Sequence, residues 1–250
     1  MSPTGSSTRA ADSAGFFEEY MQEILRWNQT MNLVSRRNTL QVCNGLLEQC
    51  RGTFQLFWSW LESSGLVSEH GRLFYGDLGS GAGLPGVVWN QLFHRQGADA
   101  STVLVEPREK RAWFLNRVLG LENCTPFHVF RGRWGDECGD CGILEPSSIA
   151  VLSLKALYLN DLQVLKGLVA YGSRADGFAG GFDNIVIVRF YPPDQQLDSV
   201  ILSDLGDASD VGPLLDSGPR IMLRQRHILG PTKGLLPASL VLTHYGVPKS

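Results

Sequence analysis

The sequence lacks an apolar run that could cross a membrane as a helix, since no stretch approaches about 18 uninterrupted apolar residues. Met1 to Gly15 has neither the apolar core of a signal peptide nor the arginine enrichment of a transit peptide, and we expect a short flexible tail there. Five cysteines, an odd number, do not suit a disulfide framework. These absences favour a globular protein of a reducing compartment, the cytoplasm or an organelle.

A strong charge of either sign is also lacking, because 22 Lys and Arg face 25 Asp and Glu. The net charge of -3 gives no global attraction to nucleic acid, and such a partner would need a local basic patch. The only C-x-x-C, Cys138 to Cys141, has no second pair to complete a zinc site, so we expect a surface loop and no metal. With 250 residues, 43% of them hydrophobic, the chain suits one α/β domain with an appendage.

Two helices are predicted near the N terminus. Apolar residues recur at helical spacing from Phe16 to Leu25, and again every three or four residues from Leu40 to Leu61. We therefore expect a helical cap over residues 16–65, ahead of a larger domain over residues 66–250.

From Leu73 onward, short apolar strands alternate with helices. Strands are predicted at 73–78, 102–105, 126–130, 149–153 and 185–190, with helices at 84–93 and from Pro107 to Leu119. Two more candidate strands, 220–228 and 239–245, would close the edge of the sheet. This alternation predicts a doubly wound, Rossmann-like parallel sheet.

A glycine loop follows the first predicted strand. Five glycines occur between Gly76 and Gly86, just after Leu73-Phe74-Tyr75 and ahead of a helix. Glycine adopts backbone angles closed to other residues and leaves room for a ligand. Because such a loop lies at the carboxyl edge of an α/β sheet, it predicts a nucleotide-like cofactor.

Three interpretations of this loop are open: a site for S-adenosylmethionine, a site for a dinucleotide, or a purely structural turn. Asp77, two residues before Gly79, is typical of loops that bind S-adenosylmethionine (SAM). Gly81 to Gly86 also reads G-x-G-x-x-G, and Glu106 follows at about the 20-residue spacing of dinucleotide sites. Pro85, however, has no amide to offer a pyrophosphate, and this favours SAM. Glu106 ends the second strand, where a carboxylate can accept the hydroxyls of a ribose or cap the next helix.

The chain resembles the RsmG (GidB) family over about residues 16 to 160. The resemblance lies in Tyr20-Met21, Trp27-Asn28, Asn32-Leu33, Asp77 to Gly86, Lys110-Arg111-x-x-Phe114-Leu115 and Leu119 to Asn123. It implies a SAM-dependent methyltransferase that modifies the seven-position nitrogen of a guanine in small-subunit ribosomal RNA. That nitrogen has a free lone pair and loses no proton, so no general base is needed and positioning carries the rate.

The glycine loop, the edge of the sheet and the family resemblance together indicate a set of candidate site residues. None of these residues is a certain catalytic residue. The resemblance places Lys155 and Arg189 at basic substrate positions, adds Arg36 and Arg37 for phosphate contact, and puts Arg133 and Trp134 at the adenine pocket. Trp134 could stack on adenine or belong to the core. The implied partner is small-subunit ribosomal RNA or a ribosomal particle. The candidate cofactor residues are Asp77, Gly79, Ser80, Gly81, Gly83, Leu84, Glu106, Pro107, Arg133 and Trp134; the candidate substrate residues are Arg36, Arg37, Lys155 and Arg189.

The second helix departs from the family. Where the family carries Arg-His-Leu-Leu-Asp-Ser, this chain has Asn44 to Gln49, without the Arg and the His. A catalytically silent ribosome-associated protein and a small-molecule methyltransferase therefore stay open as alternatives. The intact loop and Glu106 favour a working SAM site, and the retained basic residues favour RNA.

Overall fold

The structure is a computed structural model that describes residues 6–66, 72–136, 149–172, 182–192 and 221–247. The C-x-x-C at 138–141 lies outside these residues. The helices are α1 Ser6–Met31, α2 Thr39–Ser63, α3 Gly86–Arg95, α4 Glu109–Val118 and α5 Asp161–Gly172. The strands are β1 Leu73–Leu78, β2 Ala100–Val105, β3 His128–Phe130, β4 Ile149–Leu154, β5 Asn184–Tyr191, β6 Met222–Leu229 and β7 Ser239–Gly246.

The strands form one seven-stranded sheet in the order β3-β2-β1-β4-β5-β7-β6. β1 to β5 run parallel, and β7 pairs antiparallel with both β5 and β6. The chain order reverses between β1 and β4, and ligands bind beyond the carboxyl ends of strands at such a point. The predicted doubly wound, Rossmann-like sheet is confirmed, with the two C-terminal strands closing its edge.

Helices cover both faces of the sheet. One hydrophobic core joins the sheet to residues of α1, α2, α3 and α4, and a second lies between the sheet and α5. Trp89 of α3 is fully buried and donates a 3.0 Å hydrogen bond from its indole nitrogen to the carbonyl of Cys50 on α2. The N-terminal helices therefore share the main core with the sheet.

Two helices begin elsewhere than expected. α1 is helical from Ser6, so most of the stretch expected to be a flexible tail is helix; no proline or glycine lies between Ser6 and Ala14 to stop it. α4 starts at Glu109 instead of Pro107, since Arg108 is extended. In the described ranges, no helix is both long and apolar enough to span a membrane.

Candidate ligand-binding site

The loop between β1 and α3 turns on three glycines with positive φ angles: 76° at Gly79, 60° at Gly81 and 88° at Gly83. Residues with side chains rarely adopt such angles, which explains the glycines. A β-carbon on Gly83 would lie 3.0 Å from the hydroxyl of Tyr20, so packing also requires glycine there. The nearest atom to a β-carbon on Gly81 would be Nη1 of Arg111, 3.8 Å away. The space beside Gly81 is therefore open to a ligand.

Asp77 is buried at the end of β1 and accepts hydrogen bonds on both carboxylate oxygens. Its Oδ1 accepts from the Ser153 hydroxyl at 2.5 Å, and its Oδ2 accepts from the Gly86 amide at 3.1 Å. Burial raises the pKa of Asp77 to about 6, opposed by the hydrogen bond from Ser153 and the positive charge of Lys155. Asp77 holds the loop from beneath, and its direct contact with a ligand stays a prediction.

The N terminus of α3 is already occupied by protein groups. Pro85 has no amide, the Gly86 amide donates to Asp77, and the Val87 amide donates to the Gly83 carbonyl at 2.8 Å. A dinucleotide pyrophosphate needs free amides at this end of the helix. The geometry therefore disfavours a dinucleotide and leaves the open space at Gly81 for another ligand.

Glu106 lies at the end of β2 with its carboxylate turned to the glycine loop. Oε2 accepts from the Gly81 amide at 2.9 Å, and Oε1 accepts from the Arg108 amide at 2.8 Å. A carboxylate has about four acceptor positions, so each oxygen keeps one for a ligand hydroxyl. Glu106 therefore caps the backbone before α4 and keeps acceptor capacity beside Gly81, and its contact with a ribose stays a prediction.

The other predicted loop residues shape the site from within or stand at its edge. Ser80 is buried and its hydroxyl donates to the Asp77 carbonyl at 2.9 Å. Leu84 belongs to the main core, and Pro107 is exposed just after Glu106. Ser80 and Leu84 therefore fix the loop conformation.

Helix α1 supports the loop through contacts that sequence reasoning missed. The Tyr20 hydroxyl donates a 2.6 Å hydrogen bond to the Ala82 carbonyl, and Arg111 donates at 2.9 Å to the Asn32 carbonyl at the end of α1. The apolar stripe of α1 predicts that Tyr20 is buried, but periodicity carries no signal for the partner of its hydroxyl.

The predicted adenine pocket lies after β3. Arg133 is exposed, and its amide donates to the Asp136 carboxylate at 2.7 Å. The Trp134 indole donates at 2.8 Å to the Val164 carbonyl, and its ring packs where a β-carbon on Gly167 would lie. Part of the indole therefore packs against α5 and is not open to a ligand. Contacts of Arg133 and Trp134 with a ligand stay predictions.

A cavity of about 1210 Å³ opens at the carboxyl ends of β4 and β5, beside the glycine loop. Its walls are residues 154–160, 189–192 and 236–238, with Leu46, Gln49 and Gln163. This is the side of the sheet where ligands of such folds bind. Within the described residues, no cluster of three or more His, Cys, Asp or Glu could hold a metal ion.

Lys155 lies in the cavity wall directly after β4. Its Nζ is buried and has no hydrogen-bond partner among the described residues, while the Phe190 ring lies 5.9 Å from it. A buried ammonium without a partner is costly unless a ligand supplies an acceptor. Lys155 is therefore a cationic group of this wall whose ammonium has no hydrogen-bond partner among the described residues.

Arg189 also lines the cavity, but its guanidinium is committed to the protein. It is buried, forms an ion pair with Asp161, and donates at 2.7 Å to the Leu159 carbonyl. The Tyr245 hydroxyl donates to the same Asp161 at 2.5 Å. Arg189 thus fixes the loop after β4, and its contact with a substrate stays a prediction.

Arg36 and Arg37 are exposed between α1 and α2, outside the cavity lining. Arg36 donates at 3.3 Å to the Gln29 carbonyl. The structure therefore brings Lys155 and Arg189 together at one cavity and places the Arg36-Arg37 pair apart from it.

The departure in α2 has a structural counterpart. Gly45 is buried, and a β-carbon there would lie 3.1 Å from Cγ of Leu236. The Gln49 side chain donates at 2.8 Å to the Leu236 carbonyl, and Thr232 packs against Gly52 in the same way. The segment before β7 therefore occupies the space that a larger side chain at position 45 would need.

A parallel sheet with an antiparallel edge hairpin, a glycine loop after its first strand and a carboxylate after its second define a Rossmann-like α/β protein with a ligand site at the carboxyl edge. Residues 14–137 match the family model GidB, described as rRNA small subunit methyltransferase G. Across this segment the chain is similar to that family, and the resemblance seen in the sequence is confirmed.

Two curated relatives carry the same description. The chain is 33% identical over 114 residues to the ribosomal RNA small subunit methyltransferase G of Nitratidesulfovibrio vulgaris, covering 46% of this chain and 47% of that protein. It is 28% identical over 159 residues to the protein of that name from Cereibacter sphaeroides, covering 62% and 65%. The chain spans about half the length of the first of these relatives. A SAM dependent methyltransferase from Aquifex aeolicus superposes with a TM-score of 0.44 at 10% identity, covering 77% and 92%.

Proposed function

We propose that this chain is a SAM-dependent methyltransferase that modifies a guanine ring nitrogen in small-subunit ribosomal RNA. The observation that carries the proposal is the pairing of Glu106 with Gly81: an open space and a carboxylate with acceptor capacity face each other across the loop. The family match over residues 14–137 includes both residues. The compartment would be the one where ribosomes are assembled, the cytoplasm or an organelle.

The described residues fit SAM better than a dinucleotide. Gly81 would let the ligand approach the backbone, and Glu106 would accept the two ribose hydroxyls. The α3 amides that a pyrophosphate requires are bonded to Asp77 and Gly83. When bound, SAM supplies an electrophilic methyl group.

The cavity after β4 and β5 is the proposed place of the target base. Its lining combines apolar side chains with Gln49, Asn160 and Gln163, and Lys155 would donate a hydrogen bond to an acceptor on the base. A guanine nitrogen with a free lone pair sheds no proton, so the protein needs to orient the base and not to deprotonate it. The exposed Arg36 and Arg37 would contact phosphates outside the cavity.

Calorimetry with SAM and NAD, each titrated separately into the protein, tests the cofactor. We expect SAM to bind in the low-micromolar range, about -7 to -8 kcal/mol, and NAD to give no heat of binding. Binding of NAD without SAM would overturn the proposal.

A catalytically silent ribosome-associated protein is the second candidate. It is favoured by one observation, the absence of the Arg and His of α2, whose place at Gly45 is covered by Leu236. Such a protein would bind ribosomal particles without transferring methyl groups.

A further inference from the structure

Tyr158 is the most exposed large apolar side chain of the described residues, with 96% of its surface open to solvent, and it stands in the cavity lining. It belongs to none of the sequence motifs described above. An aromatic ring that makes so little contact with its own protein contributes little to the stability of the fold. Its ring is therefore open to contact with a ligand that enters the cavity.

The backbone on both sides of Tyr158 is held in place. Ala156 has a φ of 56°, a left-handed angle that is uncommon for a residue with a side chain and occurs preferentially at functional sites. Leu157 packs against the glycine loop, where a β-carbon on Gly79 would lie 3.4 Å from its Cδ2. The Leu159 carbonyl accepts from the buried Arg189. The fixed loop thus turns Leu157 inward to the glycine loop and leaves Tyr158 outside.

We propose that Tyr158 is a stacking platform for an unpaired nucleobase that enters this cavity. This inference rests on the proposed function, of which it specifies the substrate as single-stranded or flipped-out RNA. Bases inside a duplex are covered by their neighbours, whereas an unpaired base presents its face to an aromatic side chain. Lys155, three residues earlier in the same wall, supplies the positive charge that a nucleic-acid site requires.

The test compares Tyr158→Ala with Tyr158→Phe in fluorescence anisotropy, with a labelled single-stranded RNA oligonucleotide of mixed sequence and no SAM. Stacking is worth about 1–3 kcal/mol per base, so Tyr158→Ala should weaken binding between about fivefold and about 150-fold. Tyr158→Phe keeps the ring and should bind within about twofold of the parent. Trp113→Ala, which removes another exposed aromatic ring on α4, is the matched control and should not weaken binding.

Equal binding by the parent and Tyr158→Ala, or an equal loss in both Tyr158 variants, would overturn the stacking role. Absence of any oligonucleotide binding by the parent would overturn it as well. Thermal unfolding checks that the variants fold, which the exposure of Tyr158 leads us to expect. SAM calorimetry on the same samples separates the two proposals: a parent that binds RNA through Tyr158 but does not bind SAM contradicts the proposed methyltransferase and supports the stacking role.

Discussion

The hydroxyl of Ser153 on β4 donates a 2.5 Å hydrogen bond to the carboxylate of Asp77 on β1. The Tyr75 hydroxyl lies 2.9 Å from the same Ser153 oxygen, and since the Ser153 proton is given to Asp77, Tyr75 is the donor in this second bond. The other Asp77 oxygen accepts from the Gly86 amide. One buried carboxylate thus joins β1, β4 and the start of α3 directly beneath the glycine loop.

Asp77 makes the stability of the fold depend on pH. Its pKa rises from 3.8 to about 6, chiefly by burial, so the folded state holds the proton more tightly than the unfolded state does. The free energy of unfolding that it contributes is present below about pH 4 and is lost as pH rises through about 6. Since one pKa unit is about 1.4 kcal/mol, the loss amounts to about 3 kcal/mol.

Asp77→Asn should therefore flatten the pH dependence of stability. Urea unfolding between about pH 4 and pH 7 should show the parent losing about 3 kcal/mol relative to this variant. Asp99→Asn, which removes an exposed carboxylate paired with Arg72, is the matched control. If the free energy of unfolding of the parent and of Asp77→Asn changed with pH in the same way, the raised pKa of Asp77 would be contradicted.

Gly81→Val should abolish SAM binding, because its side chain would fill the open space beside Glu106. We expect at least about a hundredfold loss of affinity by calorimetry, equal to about 2.7 kcal/mol. Gly97→Val is the control, since Gly97 has a similar φ of 78° and nothing within 4 Å of its β-carbon position. The Gly97→Val variant therefore introduces a similar backbone strain at a position outside the site. Equal SAM affinity in both variants would contradict a ligand at Gly81.

Glu106→Gln should weaken SAM binding between about tenfold and about 150-fold, since a hydrogen bond to a charged group is worth about 1.5–3 kcal/mol. Glu109→Gln, on the exposed carboxylate that pairs with Arg131, should bind SAM as the parent does. Calorimetry on both variants compares the losses. A Glu106 variant with unchanged affinity would show that its carboxylate serves only the Gly81 and Arg108 amides.

The two substitutions that restore the family residues of α2 should differ in their effect on the free energy of unfolding. Asn44 is exposed, so Asn44→Arg should leave stability within about 0.5 kcal/mol. Gly45→His forces a side chain against Leu236 and should cost about 1–3 kcal/mol by overpacking. In urea unfolding, adding Leu236→Ala should recover part of that loss. Independent effects of Gly45→His and Leu236→Ala would contradict the contact.

The double variant Asn44→Arg, Gly45→His also tests substrate choice. If these positions only alter which RNA is accepted, methylation rate or site should change while SAM affinity stays within a few fold. The contact of Leu236 with position 45 limits how well the introduced His can take up its place. The segment before β7 must first move away from α2. Unchanged methylation in a folded double variant would show that α2 does not select the substrate.

The local features of this protein could be predicted from the sequence, and the long-range contacts could not. The periodicity of apolar residues predicted the strands, and the spacing of the glycines predicted a ligand loop. Both features are set by residues that are close together along the chain. Gln49 and Leu236 bond across 187 residues, and no local pattern encodes that pair. The exposure of Tyr158 and the packing of Trp134 against α5 likewise follow only from the folded arrangement.

The proposed methyltransferase is tested by methyl transfer from radiolabelled SAM to under-modified small ribosomal subunits, followed by mass-spectrometric identification of the labelled nucleoside. We expect label in the RNA, recovered as guanosine methylated at the seven-position nitrogen, with the parent protein and none with Gly81→Val. No label in RNA from a parent that binds SAM would contradict the proposed enzyme and leave a silent ribosome-associated protein in its place.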